Sequence, residues 1–250
     1  MARTSRPYRL SGSTRRGALA LSAVAAGVLL AAGPASARPI GPFEVGGAIE
    51  AEYDANGGPA VFGDPTSPES DAARGGKYQT FQRDVSIYWQ AATGAHPVGG
   101  AIRDKWGELG SESGILGYPV TAEQVTPSGS GRFNHFEKGS IYWTLGTDAH
   151  QVGGPIRDRW AAGGWESGPL GYPLTDEAAA KNNGRYNLFT GGAIYYTSAT
   201  GAHIVWGALR DDWVRAGAEG GRYGYPTSDE YDFQGGKAQD FQGGRITWRP

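Results

Sequence analysis

The sequence predicts an α+β fold of four tandem units of about 53 residues, each a short helix followed by a β-hairpin, closed into a pseudo-symmetric, propeller-like ring. Three observations carry that expectation. A Val opening a glycine-rich segment recurs at Val45, Val98, Val152 and Val205, spaced 53, 54 and 53 residues apart. A corner tetrapeptide recurs in step, as Leu116-Gly117-Tyr118-Pro119, Leu170-Gly171-Tyr172-Pro173 and Tyr223-Gly224-Tyr225-Pro226, with Phe62-Gly63-Asp64-Pro65 as a diverged first copy. Glycine supplies 42 of the 250 residues, well above the ordinary share of roughly 7%, and mostly at matching repeat positions.

Within a unit the helix comes first. Ile102 and Trp106 are four apart and share a helix face, as do Ile156 and Trp160, Leu209 and Trp213, and the diverged Ile49 and Tyr53. Gly57, Gly110, Gly164 and Gly217 each follow that aromatic by four residues, where a left-handed glycine ends a helix of two to three turns. The corner follows: proline bars its predecessor from the helical region, and glycine permits a backbone angle that other residues resist. Ser67, Thr121, Thr175 and Ser228 sit two residues after each proline, and Glu69, Glu123, Glu177 and Glu230 four after it.

The second half of the unit reads as a hairpin. Segments ending at Phe81, Phe136, Phe189 and Phe241 lead into Lys138-Gly139, Gly191-Gly192 and Gly243-Gly244, two-residue turns that suit the primed types. Arg83-Asp84 stands there in the first copy, with one extra residue before Ile87. The return strands carry Ile87-Tyr88-Trp89, Ile141-Tyr142-Trp143, Ile194-Tyr195-Tyr196 and Ile246-Thr247-Trp248, where alternation puts Ile and the last aromatic on one face and the middle residue on the other. A closing segment brings His96, His150 and His203 two residues before the next Val. The units span 45–97, 98–151, 152–204 and 205–250; the last lacks a closing segment, and residues 38–44, which align with one, are expected to complete it and shut the ring.

Residues 1–37 stand outside this pattern. Arg3, Arg6, Arg9, Arg15 and Arg16 precede an apolar run from Ala18 to Ala32 and a small-residue site at Ala35-Ser36-Ala37, the layout of a secretory signal peptide; Sec and twin-arginine export both fit it. Removing that leader leaves 18 basic against 25 acidic residues in 38–250, a net charge of −7. An acidic exported chain makes no electrostatic claim on nucleic acid or, once the leader is gone, on a membrane surface. With no cysteine, disulfides, thiol catalysis and thiolate metal sites are excluded.

Gly-Ala-Ile-Arg-Asp-x-Trp, Leu-Gly-Tyr-Pro and Phe-x-x-Gly-x-Ile-Tyr-Trp in fixed order resemble the LGFP repeat family, with Tyr118, Tyr172 and Tyr225 at the phenylalanine position. The resemblance covers about residues 45–250 and is strongest in the second and third copies. It implies an exported, cell-envelope protein of mycolic-acid-type and related actinobacteria, in which such repeats often accompany a catalytic domain and tether it to wall polysaccharide. A stand-alone repeat domain is expected here, with no adjoining catalytic domain, and the first copy has Glu50 and Ala51 in place of the Arg-Asp pair.

No catalytic constellation is recognisable: there is no nucleophile elbow, His-Glu-x-x-His, phosphate loop or calcium loop, and no cofactor or metal is expected. The four repeated glutamates are equivalent to one another, whereas glycoside hydrolysis needs two carboxyls in different environments. They are read as loop-fixing acceptors, and the repeated histidines as hydrogen-bonding a neighbouring unit. Repetition favours binding, since equivalent weak sites give avidity for a repeating polymer. Trp106, Trp160 and Trp213 are read as core, as are Trp89, Trp143, Tyr196 and Trp248. Tyr88, Tyr142 and Tyr195, on the other strand face, are the glycan-binding candidates, with ordinary half-exposed tyrosines as the alternative. Arg103, Arg157 and Arg210 either join them or pair across adjacent units. The expected function is a secreted, wall-associated, non-catalytic module binding envelope polysaccharide of arabinogalactan or peptidoglycan type. An envelope glycan hydrolase or esterase, or a scaffold for other exported proteins, is the alternative.

Overall fold

The computed structural model describes residues 37–250. The expected signal peptide, 1–37, lies outside the described residues except for Ala37. The strands are β1 (Arg38–Ile40) and β2 (Phe43–Val45), then β3 (Ser70–Ala72), β4 (Gly76–Phe81), β5 (Val85–Gln90) and β6 (Gly94–Gly99). Next come β7 (Gln124–Val125), β8 (Gly131–Phe136), β9 (Gly139–Thr144) and β10 (Asp148–Gly153). They are followed by β11 (Ala178–Ala179), β12 (Arg185–Phe189), β13 (Gly192–Thr197) and β14 (Gly201–Val205), and finally β15 (Tyr231–Phe233), β16 (Gly236–Phe241) and β17 (Gly244–Trp248). The helices are α1 (Gly47–Ala55), a single turn α2 (Pro59–Phe62), α3 (Gly100–Glu108), α4 (Gly154–Ala162) and α5 (Gly207–Arg215).

The four main helices are nine residues long, the length the glycines predict, and Gly57, Gly110, Gly164 and Gly217 end them at φ of +100°, +91°, +94° and +100°. Each expected hairpin is larger than its sequence signature. The closing segment is a full strand, and a short strand after the corner adds a fourth, so three of the sheets are antiparallel meanders ordered β3-β4-β5-β6, β7-β8-β9-β10 and β11-β12-β13-β14. Each helix follows directly from a closing strand and lies between that sheet and the next. The indole of Trp106 meets Tyr88 edge-on at 4.7 Å and stacks on Phe136 at 5.6 Å; Trp213 does the same between Tyr195 and Phe241, and Trp160 meets Tyr142 edge-on and Phe189 at a tilt.

The corner is the second anchor. Its glycine takes φ of +64° to +71° in all four copies, and its carbonyl oxygen accepts the indole N–H of Trp106 (3.1 Å), Trp160 (3.2 Å) or Trp213 (2.9 Å), or in the first copy the Tyr53 hydroxyl (2.9 Å). The hairpin turn docks on it through two backbone bonds per copy, as in Glu137 N–H to Tyr118 O and Lys138 N–H to Leu116 O. That docking overrides the turn chemistry. Phe136 pairs with Gly139, Phe189 with Gly192 and Phe241 with Gly244, so the loops are Glu137-Lys138, Thr190-Gly191 and Gln242-Gly243, one residue earlier than expected. None of these six residues has positive φ, so the turns are not primed. The glycines serve close approach instead: a Cβ at Gly191 would lie 2.1 Å from the Pro169 carbonyl oxygen.

A buried amide ties each corner to the sheet before it. Asn134 Nδ2 donates to Pro97 O (3.1 Å) and Thr121 O (3.0 Å), and Gln79, Asn187 and Gln239 bridge the matching carbonyls. All four are fully buried. The hydroxyl after each proline has a role too: Ser67, Thr121, Thr175 and Ser228 accept the N–H of Thr80, His135, Leu188 and Asp240. The corner tyrosine points the other way, into the preceding unit, where Tyr118 Oη donates to Ala73 O and Tyr225 Oη to Lys181 O, while Tyr172 Oη meets Thr126 Oγ1 at 2.8 Å. Gly76, Gly131 and Gly184 leave room for those rings.

The ring is not closed. Residues 38–44 do not complete the last unit: β2 holds the place of a closing strand and leads into α1, but its partner is β1, and β17 pairs only with β16. The register shows why. Arg38 opposite Val45 matches Ser86 opposite Val98, Ser140 opposite Val152 and Ala193 opposite Val205, so β1 takes the position of a preceding return strand. A two-residue loop closes that pairing at far less entropy than a ring spanning the whole array. Arg38 then binds Glu50 (2.7 Å) and Asp54, with Glu50 at the position held elsewhere by Arg103, Arg157 and Arg210. At the other end the stacked pairs Tyr78–Tyr88, Phe133–Tyr142 and Tyr186–Tyr195 are replaced by Ala238 and Thr247. Beside them Arg245 pairs with Asp240 (2.7 Å) and covers the rings of Tyr231 and Phe233, a polar outer face of the kind open arrays need.

Ionic locks hold the later junctions. At the second, Asp176 accepts the Gln151 N–H (2.8 Å) and Lys105 Nζ (3.0 Å), with His150 Nδ1 3.5 Å away; at the third, Asp229 accepts the Ile204 N–H (2.8 Å) and Arg159 Nη2 (2.7 Å), with His203 Nδ1 at 3.7 Å. His150 and His203 thus face the carboxylate of a neighbouring unit, but at 3.5 and 3.7 Å rather than in the expected hydrogen bond, and His96 meets Thr93 O within its own unit.

Two predictions follow from this packing. Trp160→Phe leaves the Gly171 carbonyl without its donor and a void beside it, and should destabilise the array by about 2–4 kcal/mol in urea unfolding. Burial alone would push the Asp176 carboxyl up, but His150, the Gln151 N–H and Lys105 outweigh it and bring it down to about 2. Because that lies below the ~3.9 of an unfolded Asp, the lock stabilises at neutral pH and is lost as pH falls from about 4 to about 2. Asp176→Asn should cost about 1–2 kcal/mol at pH 7, allowing for solvent screening, and flatten the stability profile across that acid window.

Candidate functional site

The sheets are buried on both faces, which reverses the expected placement of the strand aromatics. Tyr142 and Tyr195 retain only 2% and 8% of their surface, and Tyr88 is half-buried, because the next helix covers the face that alternation had left to solvent. Burial pushes the Tyr88 and Tyr195 hydroxyls up to about 12 and that of Tyr142 further in the same direction. Tyr142 and Tyr195 are interior packing between units, whereas Tyr88 also lines a surface cleft together with Arg103. The last aromatic of each return strand, expected in the core, lies at its margin: Trp89, Trp143 and Tyr196 are half-buried and pack against the core of their unit, while Trp248 is 41% exposed.

The candidate arginines lie at the same junctions. Arg103 pairs with Asp84 in the preceding hairpin turn, and Arg157 donates to Ser140 Oγ (2.6 Å) in the preceding sheet while its guanidinium covers Trp165 at 5.1 Å. Arg157 Nη2 also lies 3.3 Å from His135 Nδ1; burial first, and then this neighbouring cation, lower the His135 imidazole to about 4 and keep it neutral. Arg210 is half-buried, and its Nε has no partner among the described residues.

What does recur at the surface is a three-residue group. Directly across the strand from Trp89, Trp143, Tyr196 and Trp248 stand Lys77, Arg132, Arg185 and Lys237, always four residues before the phenylalanine that ends the outgoing strand. Their side chains are 41% to 57% exposed. Each cation has a carboxylate: Arg132 Nε lies 3.4 Å from Glu123, Arg185 Nε 3.2 Å from Glu177, Lys237 Nζ 3.9 Å from Glu230 and 2.6 Å from Asp232, and Lys77 Nζ 2.5 Å from Asp71. Burial raises the Glu123 and Glu177 carboxyls, with the arginines pulling back. Each group offers a flat aromatic surface beside a donor and an acceptor. Its regularity, a cation at a fixed distance before Phe81, Phe136, Phe189 and Phe241, is present in the sequence and went unread there.

A cleft of about 550 Å³ lies over the second of these groups, between the first and second units. Trp143, Arg132 and Glu123 form one side, and Val61, Arg83 and the start of α3 the other. Among the described residues no cluster of three or more histidine, aspartate or glutamate side chains is placed to share a metal ion, and no helix is long and apolar enough to cross a membrane.

Fold and surface together define a tandem α+β array whose repeated surface feature is an aromatic flanked by opposite charges. The sequence matches the LGFP repeat four times, over residues 62–114, 116–168, 170–221 and 224–250, and the chain belongs to that family. Each match begins at or beside the corner and the full ones end after the following helix, so it holds one sheet together with the helix that covers it. No curated protein sequence matches the chain significantly.

Burial separates the two kinds of aromatic experimentally. Tyr142→Ala should cost about 3–5 kcal/mol, while Trp143→Ala, one residue on, should cost about 1 kcal/mol, both read from chemical denaturation.

Proposed function

We propose that this protein is a non-catalytic, wall-associated module that binds envelope polysaccharide through its four aromatic–cation–carboxylate groups. One observation carries the reading: a partly exposed ring, a cation and an acid recur at matching positions in the sheets of all four repeats. Sugar C–H faces pack against flat rings, and the paired charges offer hydrogen bonds to hydroxyls without a net charge that would select an ionic ligand. Weak equivalent groups suit a polymer of repeating epitopes, because linkage multiplies modest affinities. The basic leader with its apolar run supports export, and family membership supports an envelope setting. Tyr142 and Tyr195 are buried, and Arg103 and Arg157 are engaged by the preceding unit, so the proposal places the glycan role on Trp89, Trp143, Tyr196 and Trp248 with Lys77, Arg132, Arg185 and Lys237.

The test is retention on purified arabinogalactan and peptidoglycan. Wild-type protein should be retained on at least one. Trp143→Ala with Tyr196→Ala should lower retention by about tenfold with the circular dichroism spectrum unchanged. No retention of the wild type on either polymer would sink the proposal.

A further inference from the structure

The first junction differs from the other two in three concerted ways. Where the second has Lys105, Gln151 and Asp176, the first has Glu52, Pro97 and Ala122. Proline has no N–H to give, alanine has no carboxylate to receive it, and the helix carries an acid where the lock requires a cation. The histidine remains, as His96, with its Nε2 on the Thr93 carbonyl at 2.9 Å just as His203 Nε2 meets Thr200 O at 2.8 Å, but no carboxylate faces it from the next corner. The junction is still held elsewhere: Tyr118 bonds Ala73 O, the Ala73 N–H meets Glu112 at 3.1 Å, Arg74 pairs with Glu137, and Asn134 reaches Pro97 O. Only the lock is missing. In its place runs the 550 Å³ cleft, with Pro97 and Ala122 in its wall.

We infer that this cleft is a dedicated subsite receiving a single neutral sugar residue, at a chain end or branch point, while the other aromatic groups engage the polymer only at the surface. The inference rests on the glycan-binding reading and names a cleft in which one sugar residue would sit between two units. Size agrees, since small-ligand sites occupy about 300–1,000 Å³. So does chemistry. The Trp143 ring supplies a platform and Val61, 52% exposed, an apolar flank. Glu123 accepts from hydroxyls, while Arg132 and Arg83 donate. The charges balance, two guanidiniums against Asp84 and Glu123, which suits a neutral, hydroxyl-rich ligand over an anion. α3 also begins at the cleft with Gly99 and Gly100 and no side-chain cap, so its first amides lack a side-chain acceptor.

The junction itself provides the test. Glu52→Lys, Pro97→Gln and Ala122→Asp together install the lock of the second junction in the first and fill the cleft without touching Trp143, Arg132 or Glu123. The probe is a size-fractionated short oligosaccharide released by partial acid hydrolysis of arabinogalactan, titrated by calorimetry, with the Trp143 indole N–H followed by NMR. Wild-type protein should bind it and shift that resonance. The triple variant should melt no lower than wild type, bind the oligosaccharide at least about tenfold more weakly, and keep part of its retention on the polymer. Ala122→Leu, which blocks the cleft without new charges, should reproduce the loss if the triple variant folds poorly. Oligosaccharide binding by a folded, cleft-filled variant equal to wild type would overturn the subsite and leave the surface groups standing. Polymer retention by wild-type protein with no oligosaccharide binding or indole shift would overturn it too. Failure of the wild type on both polymers would remove the underlying reading instead.

Discussion

One side chain per unit makes the array possible. The indole of Trp106, Trp160 or Trp213 meets the preceding sheet edge-on, packs on the next sheet, and donates its N–H to the corner glycine carbonyl. Three constraints meet in one rigid group with two rotatable bonds, and ordering it costs little entropy for the area it buries. The corner conformation depends on that bond as much as on its own glycine and proline. The turn depends on the corner, since two of its amides are satisfied there. A chain of local dependencies thus runs from one tryptophan to the whole unit, and the single N–H is the part with no substitute among apolar residues. The first copy illustrates this: with Tyr53 for tryptophan, the hydroxyl takes over the same carbonyl.

Because each junction is built from residues of adjacent units only, the fold is additive along its length and needs no ring to be stable. What it needs is a solution at each end. A bare strand edge at β2 would present unpaired amides and carbonyls, and β1 covers it while Arg38 meets Glu50 in a charge-reversed version of the interior contact. At the other end Thr247 and Ala238 withdraw the aromatic pair that has no helix to meet. The alignment of residues 41–45 with a closing strand was correct while its partner was assumed; sequence similarity identifies a strand's role but not which neighbour reaches it first.

The same distinction governs the rest of what could be read. Helix lengths, corner geometry and the buried tryptophans follow from local rules about glycine, proline and spacing, and were legible. The strand faces were not. Alternation assumes one wet face, but a sheet between two helix layers has none, so its surface lies at the strand ends, and Tyr142 and Trp143 exchange their expected places. The buried amides at Gln79, Asn134, Asn187 and Gln239 were overlooked for a related reason. A polar residue in a strand is read as exposed by default, and only its recurrence two residues before each phenylalanine signalled a structural bond.

This arrangement confines variation to particular places. Interior positions answer to two sheets at once, so a change there disturbs two units. Strand ends answer to one, and the junction locks to a single set of contacts that the amide bridges and corner tyrosines back up. The lock is therefore the feature a unit can lose without losing its neighbour, and its loss at the first junction replaces an ion pair with accessible space beside an aromatic ring. The repeat thereby yields an individual site without any change in its core: Pro97 and Ala122 alter what the junction offers to solvent, while Tyr88, Trp106 and Phe136 continue to hold the two sheets together.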